Sequence, residues 1–159
     1  MREVTLRPIE DSDLDTVFEF MRDPESVRMA AFTAADPDDR EAFDAHMRKI
    51  RARTDVTNRV IVGDGRVVGS IAAFVMEGDT EITYWLDRAW WGRGVATRAV
   101  ELLLDLVPVR PVTARAASDN AGSLAVLRKL GFRPVGKEVA YATGRGREIE
   151  ETVLRLDGP

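Results

Sequence analysis

Apolar and polar positions along this chain change period several times, and each change marks an element. Val4-Thr-Leu-Arg7 reads as a short strand stopped by Pro8. Leu14, Val17, Phe18 and Met21 then recur at helical spacing behind the N-capping run Asp11-Ser-Asp13. Asp23-Pro24 restarts a helix with proline at its first position, running to about Met29. A loop from Ala30 to Asp36 carries one aromatic, Phe32, expected to be exposed. Asp36-Pro37 is predicted to cap a further helix, with Phe43, Met47 and Ile50 inward and Arg48, Lys49, Arg51 and Arg53 on a solvated face.

The period then shortens. Arg59–Val62 and Val67–Met76 read as strands around the tight turn Gly63-Asp-Gly65, and Glu77-Gly-Asp-Thr80 turns into a third strand, Glu81–Asp87. Hairpin-linked strands of this kind pair antiparallel. Helical spacing returns at Val95, Ala99, Val100, Leu103, Leu104 and Val107, and Pro108 and Pro111 lead to a strand at Val112–Ala117. Strand, helix, strand makes a crossover unit, so its two strands are predicted to be parallel. Ser118-Asp-Asn120 caps a last helix with Leu124, Val126, Leu127 and Leu130 on its apolar side and Gly131 at its end. A hairpin with arms near Lys137–Ala142 and Glu148–Leu156 closes the chain. The expectation is an α/β fold: a mixed, mostly antiparallel sheet with one parallel central pair and helices on both faces, in one domain spanning 1–159.

Composition narrows the function classes. With 45% hydrophobic and 31% charged residues, the 159-residue chain has the make-up of a soluble globular domain. No apolar run approaches the roughly 20 residues of a membrane span, and the first residues lack the apolar core of a signal peptide, so a cytoplasmic location without membrane attachment is expected. Absence of cysteine removes disulfides, thiol nucleophiles and thiolate metal sites; a lone His46 in a charged helical stretch is expected at the surface, and no metal is expected. A net charge of −4 argues against nucleic acid as a partner and is compatible with a cationic substrate such as an amine.

The most informative stretch is Glu81-Ile-Thr-Tyr-Trp-Leu-Asp87 followed by Arg88-Ala-Trp-Trp-Gly-Arg-Gly-Val-Ala-Thr97. A strand feeding a glycine loop at a helix start offers free backbone N–H groups and the positive end of a helix dipole, which suits a phosphate. No lysine follows the loop in the G-x-x-x-x-G-K-[ST] arrangement, and G-x-G-x-x-G is absent because Thr97 stands at the last position. Both strands of the crossover unit end at helix starts, one with the glycine loop and one with Asn120 and Ser123, so both face one cleft.

Two blocks, Tyr84-Trp-Leu-Asp with Trp91-Gly-Arg-Gly-Val-Ala-Thr97 and Asn120-Ala-Gly-Ser-Leu-Ala-Val-Leu-Arg-Lys-Leu-Gly-Phe132, give the chain a family resemblance. It resembles the GCN5-related N-acetyltransferases, and among them the branch of ribosomal-protein N-terminal acetyltransferases. The resemblance implies a parallel pair splayed to hold acetyl-CoA and direct acetyl transfer to a primary amine in a ternary complex, often in a homodimer. It assigns the cosubstrate to Trp85, Leu86, Trp91, Gly92, Arg93, Gly94, Val95, Ala96, Thr97, Asn120 and Ser123. Trp91 replaces the Arg or Gln usual in the family's R/Q-x-x-G-x-G/A loop, so one polar side-chain contact is missing, while Gly94 and Ala96 match. Arg93 either adds charge near a phosphate or is a solvated surface arginine.

For the chemistry, the family polarises the thioester carbonyl with a backbone N–H near the end of the central strand, here around Leu86. Glu81 is the first candidate for the base, because a carboxylate among apolar strand neighbours gains proton affinity on burial, and Glu77 is the second. The tyrosine that many members use as acid is replaced by Leu127, leaving Ser123 as the polar residue on that helix; Tyr141 has no fixed direction. The preferred acceptor is a protein or peptide N-terminal amine. A small-molecule amine, or an acetyl-CoA-binding module without transfer, is the alternative.

Overall fold

The computed structural model describes residues 3–158. Its strands are β1 (Val4–Pro8), β2 (Thr57–Gly63), β3 (Arg66–Met76), β4 (Asp79–Leu86), β5 (Val112–Ala117), β6 (Arg133–Ala142) and β7 (Arg147–Leu156). They form one seven-stranded sheet in the order β1-β2-β3-β4-β5-β7-β6. Every neighbouring pair is antiparallel except β4 with β5, the parallel pair joined by the crossover helix. The helices are α1 (Leu14–Met21), α2 (Pro24–Ala30), α3 (Arg40–Ala52), α4 (Val95–Leu106) and α5 (Ala121–Lys129).

Alternation along the strands gives the sheet two apolar faces. On one, Ile71 and Ala73 of β3, Ile82 and Leu86 of β4, Val112 and Ala114 of β5 and Leu154 of β7 pack against Ala99, Val100 and Leu103 of α4 and Leu127 of α5. On the other, Val60 and Trp85 meet Val17 and Phe20 of α1 and Met47 of α3. Helices therefore cover both faces, as the pattern predicts.

Boundaries differ from the sequence expectation where capping chemistry decides them. Asp39, not Asp36, caps α3: its carboxylate accepts the Ala42 N–H at 3.0 Å, while Asp36 accepts the Asp38 N–H at 3.0 Å in the preceding turn. Asn120 caps α5 by accepting the Ser123 N–H at 3.2 Å. Arg133 begins β6 earlier than predicted, because β6 is the sheet edge and tolerates Pro134 at a shift of register before Gly136. Phe32 is half-buried rather than exposed, packed on a cluster of Ala31, Ala117 and Ala142.

That alanine cluster joins three segments which later frame the site. The β6–β7 hairpin turn docks on the end of α2 through the Gly144 N–H, which donates to Ala31 O at 2.7 Å. Arg145 then makes a bidentate pair with Asp119 at 2.7 and 2.8 Å, tying the turn to the β5–α5 connection. A Cβ on Gly144 would sit 2.4 Å from Val27 O, and backbone cannot swing aside as a side-chain tip can. Gly144→Ala is therefore expected to destabilise the fold by about 1–3 kcal/mol, as overpacking typically does. Urea unfolding checks this; a midpoint equal to wild type would mean that the docking is loose.

Candidate active site

β4 and β5 pair at only three positions, Thr80 with Val112, Glu81 with Thr113 and Ile82 with Ala114. Beyond these, β4 follows β3 as far as Leu86 opposite Gly69, and β5 follows β7 as far as Ala117 opposite Glu151. A gap opens between them. The Asp87 N–H bonds Val68 O of β3 at 2.7 Å, so strand alternation turns the N–H and C=O groups of Tyr84 and Leu86 the other way, into the gap. The Leu86 carbonyl accepts the Trp91 indole N–H at 3.0 Å, and its N–H faces the opening. Thr83 is exposed although it stands in a central strand of the sheet.

The glycine loop leads from this strand end into α4. Gly92 and Gly94 adopt φ of 74° and 79°, the left-handed region that glycine enters without steric cost. Gly94 is the N-cap and has no side chain to offer, and no acidic residue occupies the first turn. By contrast α2, α3 and α5 are capped by Asp23, Asp39 and Asn120. The Arg98 N–H reaches back to Gly94 O at 3.2 Å, so the N–H groups of Val95, Ala96 and Thr97 precede the first intrahelical bond. Three free donors at the positive end of a twelve-residue helix fit a pyrophosphate.

Side chains of the predicted set divide by role. Leu86 and Val95 are buried in the α4 core and offer only backbone to the gap and loop. Trp85 points to the opposite face, its indole N–H donating to Phe20 O at 3.1 Å. Trp91 braces the loop against Leu86 through its indole N–H. Arg93 stacks over the Trp90 ring, 5.2 Å from its centroid. Asn120 is occupied at both ends, capping α5 and reaching Met29 O at 3.4 Å. Ser123 shares a hydrogen bond of 2.9 Å with the hydroxyl of Tyr84, a residue that sequence reasoning assigned no role. Burial pushes the Tyr84 phenol above its ordinary pKa. Leu127 is 1% exposed within the core, so its position offers the cleft no group at all.

The carboxylates meet at Arg115. Glu81 is buried, and its Oε1 accepts the Arg115 Nε–H at 3.0 Å; Arg115 also meets Glu138 at 2.9 Å and Glu151 at 3.6 Å. Burial pushes the Glu151 carboxyl up; Arg115 opposes this, and Glu138 and Glu81 add to it. Position separates the two acids. Glu81 lies five residues before Leu86, about 17 Å along an extended strand. Glu151 stands opposite Ala117, the last residue of β5, whereas Glu81 pairs with Thr113, four residues nearer the closed end of the parallel pair. Glu77 sits in the β3–β4 turn at the far end of β4, which removes it as a base for chemistry at Leu86. Tyr141 is 62% exposed on the edge strand β6. Nothing in the sequence ranks Glu151 above its neighbours Glu148 and Glu150.

Comparison with known proteins bears on the family and the fold. Residues 3–133 match the Acetyltransferase (GNAT) domain family. The chain is 26% identical to "Uncharacterized N-acetyltransferase p20" of Bacillus licheniformis, over 96% of this chain and 92% of that protein. Among solved structures, Mycobacterium smegmatis RimJ in complex with CoA-disulfide superposes with a TM-score of 0.83 at 23% identity, over 98% of this chain and 82% of that one. Spermidine N-acetyltransferase from Vibrio cholerae, in complex with CoA and spermine, does so at 0.80 and 14%, over 97% and 95%.

The bracing role of Trp91 has a measurable consequence. Trp91→Phe keeps an aromatic side chain but removes the fused ring that carries the N–H, so a stability loss of about 1 kcal/mol or more in urea unfolding is expected. Acetyl-CoA affinity by calorimetry should change by less than about threefold, because backbone donors carry the phosphates. A tenfold weaker Kd would instead put the indole in direct contact with the cosubstrate.

Proposed function

The chain belongs to the GNAT acetyltransferase family and is an acetyl-CoA-dependent N-acetyltransferase; from that premise we propose that its acceptor is the N-terminal amine of a protein or peptide, as in the ribosomal-protein branch. The observation that carries this reading is Thr83, exposed in the middle of a central strand. A strand residue open to solvent beside the gap leaves room for an extended chain end to approach. The α2 end, the β6–β7 turn and the β5–α5 connection frame it, locked together by Gly144 and Arg145.

The residues divide the work as follows. Backbone N–H groups of Val95, Ala96 and Thr97 hold the pyrophosphate of acetyl-CoA, and the cosubstrate supplies a thioester carbon for attack. The Leu86 N–H polarises the thioester carbonyl. Glu151 takes the proton that the ammonium must lose, in place of Glu81: Arg115 holds Glu81 more closely, at 3.0 Å against 3.6 Å, and burial raises the Glu151 carboxyl. Ser123 stabilises the leaving sulfur. A second reading, a small polyamine, is favoured by the surplus of three carboxylates over one guanidinium around Arg115.

Thiol release from acetyl-CoA, measured over a panel of peptides and polyamines, separates the two. The expected result is transfer to peptide N-termini with kcat/KM at least tenfold above spermidine; the reverse order would establish the polyamine reading. Glu151→Gln should lower kcat by about 10²-fold, the lower range for loss of a general base, and abolish the acidic limb of the pH profile. Its effect on stability has the opposite sign to an ordinary lost ion pair. A folded pKa raised above the unfolded value gives stability that is present below the unfolded carboxylate range and lost as pH rises through the folded value. At neutral pH the substitution should thus leave stability unchanged or raised. An intact acidic limb would remove Glu151 from the role.

A further inference from the structure

Among the described residues the Ser123 hydroxyl has one side-chain partner, and it comes from the strand rather than the helix. Tyr84 reaches from β4 to α5, placing its phenol oxygen 2.9 Å from Ser123 Oγ, while its own backbone N–H and C=O face the gap. Leu127, one turn further along α5, is sealed in the core. The hydroxyl that reaches Ser123 therefore comes from the strand β4 and not from a later turn of α5. Building on the assignment of Ser123 made above, we infer that Tyr84 is a positioning residue, whose phenol donates to Ser123 Oγ and so turns the serine O–H toward the sulfur.

Acidity fixes the direction of that bond. A phenol titrates near 10, an alkanol hydroxyl far higher, so the phenol is the better donor of the pair. Burial raises the Tyr84 pKa further, which keeps the phenol protonated throughout the neutral range. Were the serine to donate to the phenol instead, its only proton would be turned away from the sulfur.

The step balances without charging either hydroxyl. The neutral amine nitrogen bonds to the carbonyl carbon, the C–S bond breaks with its electron pair staying on sulfur, and the nitrogen gives its surplus proton to water as the amide forms. Ser123 then donates a hydrogen bond to the thiolate, and water supplies the proton that completes the thiol. Outright transfer from serine is uphill, because the thiol titrates near 8.5. Tyr84 adds a second donor behind the serine oxygen as charge develops, strengthening the chain.

The test reads the bound product rather than turnover alone. Ultraviolet absorbance of the thiolate gives the pKa of CoA bound to the full chain. Ser123→Ala is expected to raise that pKa by about one unit, the scale of a hydrogen bond to a charged group. Tyr84→Phe, which keeps the ring, should raise it by about half a unit. In turnover, Ser123→Ala should lower kcat about tenfold and Tyr84→Phe about threefold, with KM for acetyl-CoA unchanged. The double variant should be no slower than Ser123→Ala alone, because Tyr84 acts only through the serine. Multiplying effects, or a Tyr84→Phe protein with wild-type bound-thiol pKa, would overturn the inference. If Ser123→Ala itself left the bound-thiol pKa unmoved, the serine assignment would fall with it. A response in Ser123→Ala without one in Tyr84→Phe removes Tyr84 alone.

Discussion

β4 and β5 are joined by three residue pairs and then part, and the site depends on that separation. Each strand keeps its outer partner, β3 for one and β7 for the other, so only the groups facing the gap lose their pairing. The chain meets part of this cost locally: Trp91 satisfies the Leu86 carbonyl, and Ser123 meets the Tyr84 hydroxyl. What is left is a short strand edge inside a sheet. An extended arm carrying amide groups can pair with such an edge as an added strand would.

Two electrostatic environments border the gap on opposite faces. On the α4 face, an uncapped helix start offers bare N–H groups to an anion. On the α2 face, Glu81, Glu138 and Glu151 surround Arg115, leaving surplus negative charge for a cation. An anionic cosubstrate and a cationic acceptor are thus drawn to different sides and meet at the strand end. The Arg145–Asp119 pair and the Gly144 contact fix the frame on the acceptor side, and Asn120 links that frame to the helix bearing Ser123.

Much of the fold was legible in the sequence. Periodicity separated the strands from the helices, and the crossover between Glu81–Asp87 and Val112–Ala117 required the one parallel pair that the sheet contains. The glycine loop was legible because glycines, a missing cap and a helix start are local facts. Side-chain partnerships across the sheet were not. Glu81 read as a carboxylate among apolar neighbours, and nothing local indicated that Arg115, 34 residues on, would occupy it. Tyr84 carries no role in the sequence reading, since its hydroxyl acquires a partner only when α5 packs against β4. Trp91 read as a lost polar contact until the loop folded back on Leu86.

Amide hydrogen exchange resolved at Tyr84 and Leu86, with and without saturating acetyl-CoA, tests the central claim most directly. Both N–H groups face the gap, so they should exchange readily in the free protein and become protected, together with Val95, Ala96 and Thr97, when acetyl-CoA binds. Protection confined to the helix start, with Tyr84 and Leu86 unchanged, would contradict the account, because the separated strand edge would then have no part in holding the cosubstrate.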